Sequence, residues 1–328
     1  MVMTVVTASA VSTAKAFCPG HITGFLAKAS DLTCSKNEDA RDKRSYLYMG
    51  SMGAGLAIAI GLSSAVKVFE KDNYSQTTYD VYINGSNRNI NFEVTKSVVE
   101  EYIRLLREKS YHIRIEHETS VPIGYGLSSS GAAALSLSYA LNSALNVGLS
   151  LEQAAQIAHC SEIECRTGLG SVLAQYVGGF ELRSALGAPG VGIAYRIPRP
   201  SSRQDLKVII LCLSPVSTKK FLTHHIRSLN GFGEKMLERL KITRNINDFL
   251  DMSFEFADTL GLISGRSRIL VSKLKSRGFG CSVALFGNTI FSIVKSSDVA
   301  GVVKCLKGSG GELLICDIDQ QGARLIDK

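Results

Sequence analysis

The sequence contains no Gly-Lys-Ser or Gly-Lys-Thr string, so it has no Walker A loop. It also lacks a dinucleotide fingerprint, because Gly126 is followed by Leu-Ser-Ser-Ser and no third glycine falls at the required spacing. No pair among the eight cysteines (18, 34, 160, 165, 212, 281, 305 and 316) forms Cys-x-x-Cys. Their irregular spacing and mostly apolar surroundings favour buried, reduced thiols over a disulfide framework. A zinc set of His159, Cys160 and Cys165 is the weaker alternative. The longest nearly apolar run, residues 53–62, is too short to span a bilayer. The first sixteen residues lack a basic stretch followed by a long apolar core, so no secretory signal is expected. Together these absences favour a cytoplasmic, membrane-free globular protein. Lys and Arg are dispersed, with no basic run interleaved with aromatics, which argues against nucleic acid. The net charge of +8 suits small anionic partners such as nucleotides and carboxylates.

Among the features present, residues 122–132 stand out: Pro-Ile-Gly-Tyr-Gly-Leu-Ser-Ser-Ser-Gly-Ala. Before them, Tyr111, Ile113 and Ile115 alternate with polar residues, the period of a half-buried strand. After them, residues 132–145 are apolar and rich in Ala and Leu, as in a buried helix. A Gly/Ser loop thus joins a strand to a helix start. Helix-start N–H groups have no partner inside the helix, and together with the dipole they favour a phosphate. The hydroxyls of Ser128, Ser129 and Ser130 can hold phosphate oxygens or Mg²⁺. The competing reading is a plain turn with an N-cap.

The remainder reads as an alternation of strands and helices, without repeats. A helix over residues 97–109 is expected, with Ser97 as N-cap and Glu100 completing a capping box. Another begins after Ser150, with Gln153 in its first turn. Residues 4–8 read as a short strand or a disordered start. Residues 49–56 read as a tight turn entering a strand at 57–70. Asn84-Gly85 marks a hairpin turn within strands over 77–92. Residues 198–203, with two prolines, are the best linker, giving domains at 1–197 and 204–328. Beyond it come a strand at 206–213, helices at 219–229, 233–240, 246–260 and 265–276, and a hairpin at Gly287-Asn288. A helix at 297–306 and a final strand at 312–317 precede a tail.

The string at 122–132 resembles the ATP-binding loop of the GHMP kinases, a family of small-molecule kinases. Pro19-Gly20-His21-Ile22-Thr23-Gly24-Phe25 is similar to the early element of the archaeal pantoate kinases, as is Gly50-Ser51-Met52-Gly53-Ala54-Gly55. The resemblance implies an α+β fold of two domains, the first like domain 2 of ribosomal protein S5 and the second ferredoxin-like. It implies ATP and Mg²⁺ as cofactors and transfer of the γ-phosphate to the 4-hydroxyl of pantoate, on the route to coenzyme A. Pro122, Gly124, Gly126, Leu127, Ser128, Ser129, Ser130, Gly131 and Ala132 would form the nucleotide site. Ser130 and Glu162 would hold the metal, with Glu164 in reserve. His21, Ser51, Arg166 and Gly280 would face the substrate, and His21 and Ser171 would stand at the reacting groups. The resemblance has an Asp base where this chain has Ser171, and serine is no general base without an activating partner. A kinase for another small alcohol, homoserine- or mevalonate-like, stays open, as does a non-catalytic nucleotide sensor; a homodimer is compatible with all three.

Overall fold

The structure, a computed structural model, describes residues 10–30, 43–71, 76–86, 93–106, 109–198, 205–216 and 231–327. The expectations for residues 4–8, 87–92, 199–203 and 219–229 lie outside the described residues, as does Cys34.

Two long strands form the spine, β1 (Ser12–Ala29) and β2 (Ser51–Glu70), paired antiparallel. Register shifts at Pro19/Gly20, Thr23/Phe25 and Leu26/Lys28 bend the pair, as bulges do. The turn expected at residues 49–56 is therefore mostly strand. Pairing on both sides, with β1 and with β5 (Phe180–Ala185), extends the backbone there despite its glycines. β3 (Thr78–Ile83) and β4 (Tyr111–Thr119) complete one side, running parallel to each other, and β6 (Ile193–Arg196) pairs with β5. The Asn84-Gly85 turn is present, closed by an Ile83–Ser86 bridge.

Helices cover this sheet. α1 (Glu93–Leu105) starts four residues before the expected cap. Ser97 is consequently a buried mid-helix residue whose hydroxyl donates to Glu164 Oε2 at 2.9 Å. The apolar face of Val94, Val98, Val99 and Tyr102 extends upstream of Ser97, and its burial outweighs the capping signal. α2 (Ser129–Ala144) is buried along most of its length. α3 (Leu151–Glu164) begins with the expected reciprocal capping by Ser150 and Gln153. α4 (Ser171–Val177) follows a short glycine-rich turn.

The second sheet is β10-β7-β9-β8: β7 (Leu206–Ser214), β8 (Cys281–Val283), β9 (Asn288–Lys295) and β10 (Glu312–Cys316). With it come α5 (Phe232–Thr243), α6 (Ile246–Thr259), α7 (Gly265–Lys275) and α8 (Val299–Leu306). The sheets share one core, in which Phe25 of β1 packs against Phe249 and Phe256 of α6. The expected tail instead includes a strand, β11 (Arg324–Asp327), which returns to pair with β1 in the first sheet. The architecture is α+β, with sheets and helices of both halves meeting at β1.

Candidate functional site

A narrow crevice opens where the loop before α2 faces the turn before α4 and the bent part of β1 and β2. One wall is the loop itself: Gly124 and residues 126–130 line it. Gly124, Gly126 and Ser128 all have positive φ (87°, 75° and 55°). A left-handed serine is uncommon, and such strained backbone recurs at ligand sites. Ser128 does not cap α2 through its side chain, and Ser129 and Ser130 at the start of this sixteen-residue helix line the crevice. The carbonyls of this loop are occupied from behind: Leu127 O accepts from His21 N, and Ser128 O from Gln175 Nε2. Pro122 precedes the lined part, Ala132 points into the core, and Gly131 is covered by Ser171 and Gln175.

Glu162 lies behind this loop, 2% exposed, with Ser130 donating to Oε1 at 2.9 Å and Ser171 to Oε2 at 2.7 Å. Burial raises its pKa, and the two hydroxyls only partly offset that. No Lys or Arg pairs with it among the described residues. Gly168 packs so tightly on the carboxylate that a Cβ there would overlap it. An oxygen-only set of one carboxylate and one hydroxyl, without a protein counter-ion, is chemically suited to Mg²⁺. Glu164 faces elsewhere, pairing with Lys43 at 3.1 Å, as expected for carboxylates two apart on a helix.

The opposite wall comes from three strands in one register. Thr23 of β1 lies beside Gly55 of β2, which lies beside Glu181 of β5; Gly53 lies beside Arg183. Residues two apart on a strand share a face, so His21, Thr23, Ser51, Glu181 and Arg183 converge. The glycines between them leave room for side chains to meet across β2. His21 Nε2 reaches Glu181 Oε1 at 2.9 Å, and Arg183 Nη1 donates to Ser51 Oγ at 3.1 Å. Arg183 Nε and Glu181 Oε2, 3.4 Å apart, attract as an ion pair without forming a hydrogen bond. Arg183 is 1% exposed and lines the crevice, with Nε and Nη2 lacking hydrogen-bond partners. Burial would raise the Glu181 carboxyl, but the Arg183 charge and the His21 bond outweigh it and hold it low. Burial lowers His21, with Glu181 opposing, so the pair is a neutral imidazole against a carboxylate.

The structure therefore brings together residues 124 and 126–130, Ser51 and Ser171 in the lining, with Glu162 behind it. His21 stands behind the wall, reached through Thr23. Arg166 and Gly280 do not line the crevice. Gly280 immediately precedes β8, and its carbonyl accepts from Ser292 Oγ. The second sheet's contribution is Phe286, beside the hairpin that packs on Gly126. Sequence reasoning missed Arg183, Thr23 and Glu181. The only available signal was the charged pair inside an otherwise apolar strand, since Lys and Arg are rarely buried without a partner. His159, which could have been a metal ligand, is a core residue whose Nε2 faces Met49 O at 2.9 Å. No group of three or more His, Cys, Asp or Glu suited to a metal occurs among the described residues. No helix there is long and apolar enough to cross a membrane.

Residues 94–179 match the family model for the GHMP kinases N terminal domain, a span that includes the loop, Glu162 and Ser171. A pantoate kinase from Methanocaldococcus jannaschii is 32% identical over 304 residues, covering 92% of this chain and 99% of that protein. A pantoate kinase from Methanospirillum hungatei is 28% identical over 86% of this chain and 88% of its own length. Among solved structures, a phosphotransferase related to the CoA biosynthesis pathway superimposes with a TM-score of 0.80 at 24% identity, covering 95% and 98% of the two chains. The chain belongs to the GHMP kinase superfamily, within the family of the pantoate kinases.

Proposed function

We propose that this protein transfers the γ-phosphoryl group of ATP to the 4-hydroxyl of (R)-pantoate, giving 4-phosphopantoate for coenzyme A biosynthesis. It is an ATP-dependent phosphotransferase with an alcohol acceptor. The observation that carries the substrate reading is Arg183: a buried guanidinium with two unpaired donors in the same crevice as the Gly/Ser loop. Glu181 balances part of the Arg183 charge, but Nε and Nη2 still lack acceptors, and a planar fork with donors to spare matches a carboxylate.

The triphosphate is held by the N–H groups at the start of α2 and along residues 124–130. Ser130 and Glu162 would hold Mg²⁺, which when bound neutralises charge on the β- and γ-phosphates. Arg183, with Ser51 beside it, binds the pantoate carboxylate. Leu26, Leu169 and Phe286 offer apolar contact to the branched carbon. Catalysis of phosphoryl transfer is mostly positioning and charge stabilisation, so serine at position 171 is compatible with turnover. Ser171 orients the Glu162 carboxylate rather than taking a proton from the substrate. Homoserine is less well matched, because its ammonium needs a free carboxylate and Glu181 is already engaged by His21 and Arg183.

A coupled assay of ADP formation with pantoate, homoserine and mevalonate, with products identified by mass, tests this. The expected result is pantoate-dependent ADP and a monophosphorylated product. Turnover of homoserine or mevalonate in preference to pantoate would reassign the acceptor. ATP binding without ADP from any alcohol would favour the nucleotide-sensor reading.

A further inference from the structure

The acceptor hydroxyl has to lose its proton, and among the described residues no carboxylate lines the crevice, where the resemblance expects an Asp. Ser171 spends its proton on Glu162, which Ser130 also engages. On the opposite wall, Thr23 Oγ1 lies 3.5 Å from His21 Nδ1, and His21 Nε2 lies 2.9 Å from Glu181 Oε1. A carboxylate only accepts, so Nε2 carries the ring hydrogen and Nδ1 presents its lone pair. Thr23 therefore donates to Nδ1, which leaves its own oxygen lone pairs free toward the crevice it lines. The 3.5 Å separation is long for a resting hydrogen bond, and such contacts tighten when substrate binds. Hydroxyl, imidazole and carboxylate stand in the order used by hydrolytic triads. Here the hydroxyl is placed to conduct a proton, since the attacking oxygen belongs to the substrate.

We infer that Thr23 accepts the proton of the acceptor hydroxyl and passes its own proton to His21 Nδ1, with Glu181 orienting the imidazole. The inference rests on the kinase reading above. As the acceptor oxygen bonds to the γ-phosphorus, its O–H bond breaks and that proton moves to Thr23 Oγ1. The Thr23 proton moves to Nδ1 in the same event. The bond from γ-phosphorus to the bridging oxygen breaks, and its electron pair leaves on ADP. After product release the proton returns through Thr23 to solvent. Thr23 is the catalytic residue of this step, and His21 and Glu181 are positioning residues that act through it. Among the described residues, the ionisable groups acting on His21 are Glu181 and Arg183, both of β5; its neighbours on β2, Gly55 and Ala57, carry none. Burial keeps His21 neutral at physiological pH and so ready to accept.

The test uses the full chain and Thr23→Val, Thr23→Ser and Thr23→Ala, assayed with ATP and pantoate from pH 5 to pH 9. Thr23→Val and Thr23→Ala should lower kcat about 100-fold with the ATP KM within about twofold. They should also lose the acid limb of the kcat profile, which lies below the ordinary histidine value because His21 is lowered. Thr23→Ser should recover most of the rate and the limb. The inference is overturned if the Val and Ala variants keep wild-type kcat. It is equally overturned if they raise only the pantoate KM and leave the pH profile unchanged, since Thr23 would then merely bind substrate. Absence of pantoate-dependent ADP from the wild-type chain would overturn the substrate reading instead, and the relay with it.

Discussion

One wall of the crevice is a continuous stretch, residues 124–130, whereas the other is assembled from Thr23, Ser51 and Arg183 on three strands. The first wall works through backbone. Its geometry depends on left-handed residues and on a helix start, and the chemistry proposed for it, N–H donors toward an anion, is the same for any nucleotide. The second, in the function proposed above, works through side chains that sheet register brings together, and its chemistry suits a small acidic alcohol. A generic partner can be held by a local motif; a specific one takes distant residues.

If the walls divide labour in this way, variants should separate them. The largest effect is expected for Glu162→Gln, which keeps the size and removes the charge behind the phosphate wall. Its kcat should fall on the order of 10²- to 10³-fold, with a higher Mg²⁺ requirement and the pantoate KM little changed, measured by steady-state kinetics. Unchanged turnover would remove the metal assignment. Next is Gly126→Ala. Gly126 has φ 75°, and an added Cβ would sit 2.8 Å from Gly287 N and 2.9 Å from Phe286 C, both backbone. The change should destabilise the protein by roughly 2 kcal/mol and raise the ATP KM at least about tenfold. A pantoate KM that rises as much as the ATP KM would mean that this loop shapes both subsites.

A smaller effect concerns the support of the phosphate wall. His117 is enclosed under α2, facing Ser64 Oγ at 2.8 Å and Thr95 Oγ1 at 3.1 Å, and Ser64 in turn bonds Ser136 of α2. Burial lowers His117 to about 4. Burial likewise lowers His159 on α3 to about 4, against the carbonyls of Met49 and Tyr46. Between the ordinary histidine value and about 4, the unfolded chain takes up protons that the folded chain does not. Stability is therefore present at pH 7 and falls as pH drops through that window, by about 4 kcal/mol at pH 5 for the two together. Thermal unfolding at pH 7 and pH 5 reads this, and a flat response would show that neither histidine is held neutral.

The same contrast explains what was legible in the sequence. Residues 122–132 carry their meaning in consecutive positions, so strand, loop and helix were readable there. Ser150 and Gln153 were readable for the same reason. Ser97 was misassigned because a capping signal is worth about 1 kcal/mol, less than the upstream apolar face that extends α1. The return of β11 to β1 depends on where the rest of the fold leaves the chain end, which no local pattern encodes. Arg183 was invisible as a site residue because its role arises from pairing Gly53 of β2 with β5, a contact spanning 130 positions. Arg166 was the expected cation, and sequence proximity to the Gly-Leu-Gly turn was a poor guide to the crevice.

The division of labour is tested most directly by measuring both Michaelis constants on Arg183→Gln, with Arg183→Lys as a control for the buried Glu181 partner. The account predicts a pantoate KM raised about 100-fold, equivalent to roughly 3 kcal/mol, with the ATP KM within about threefold of wild type. An unchanged pantoate KM, or an ATP KM that rises with it, would contradict an acceptor wall built around Arg183.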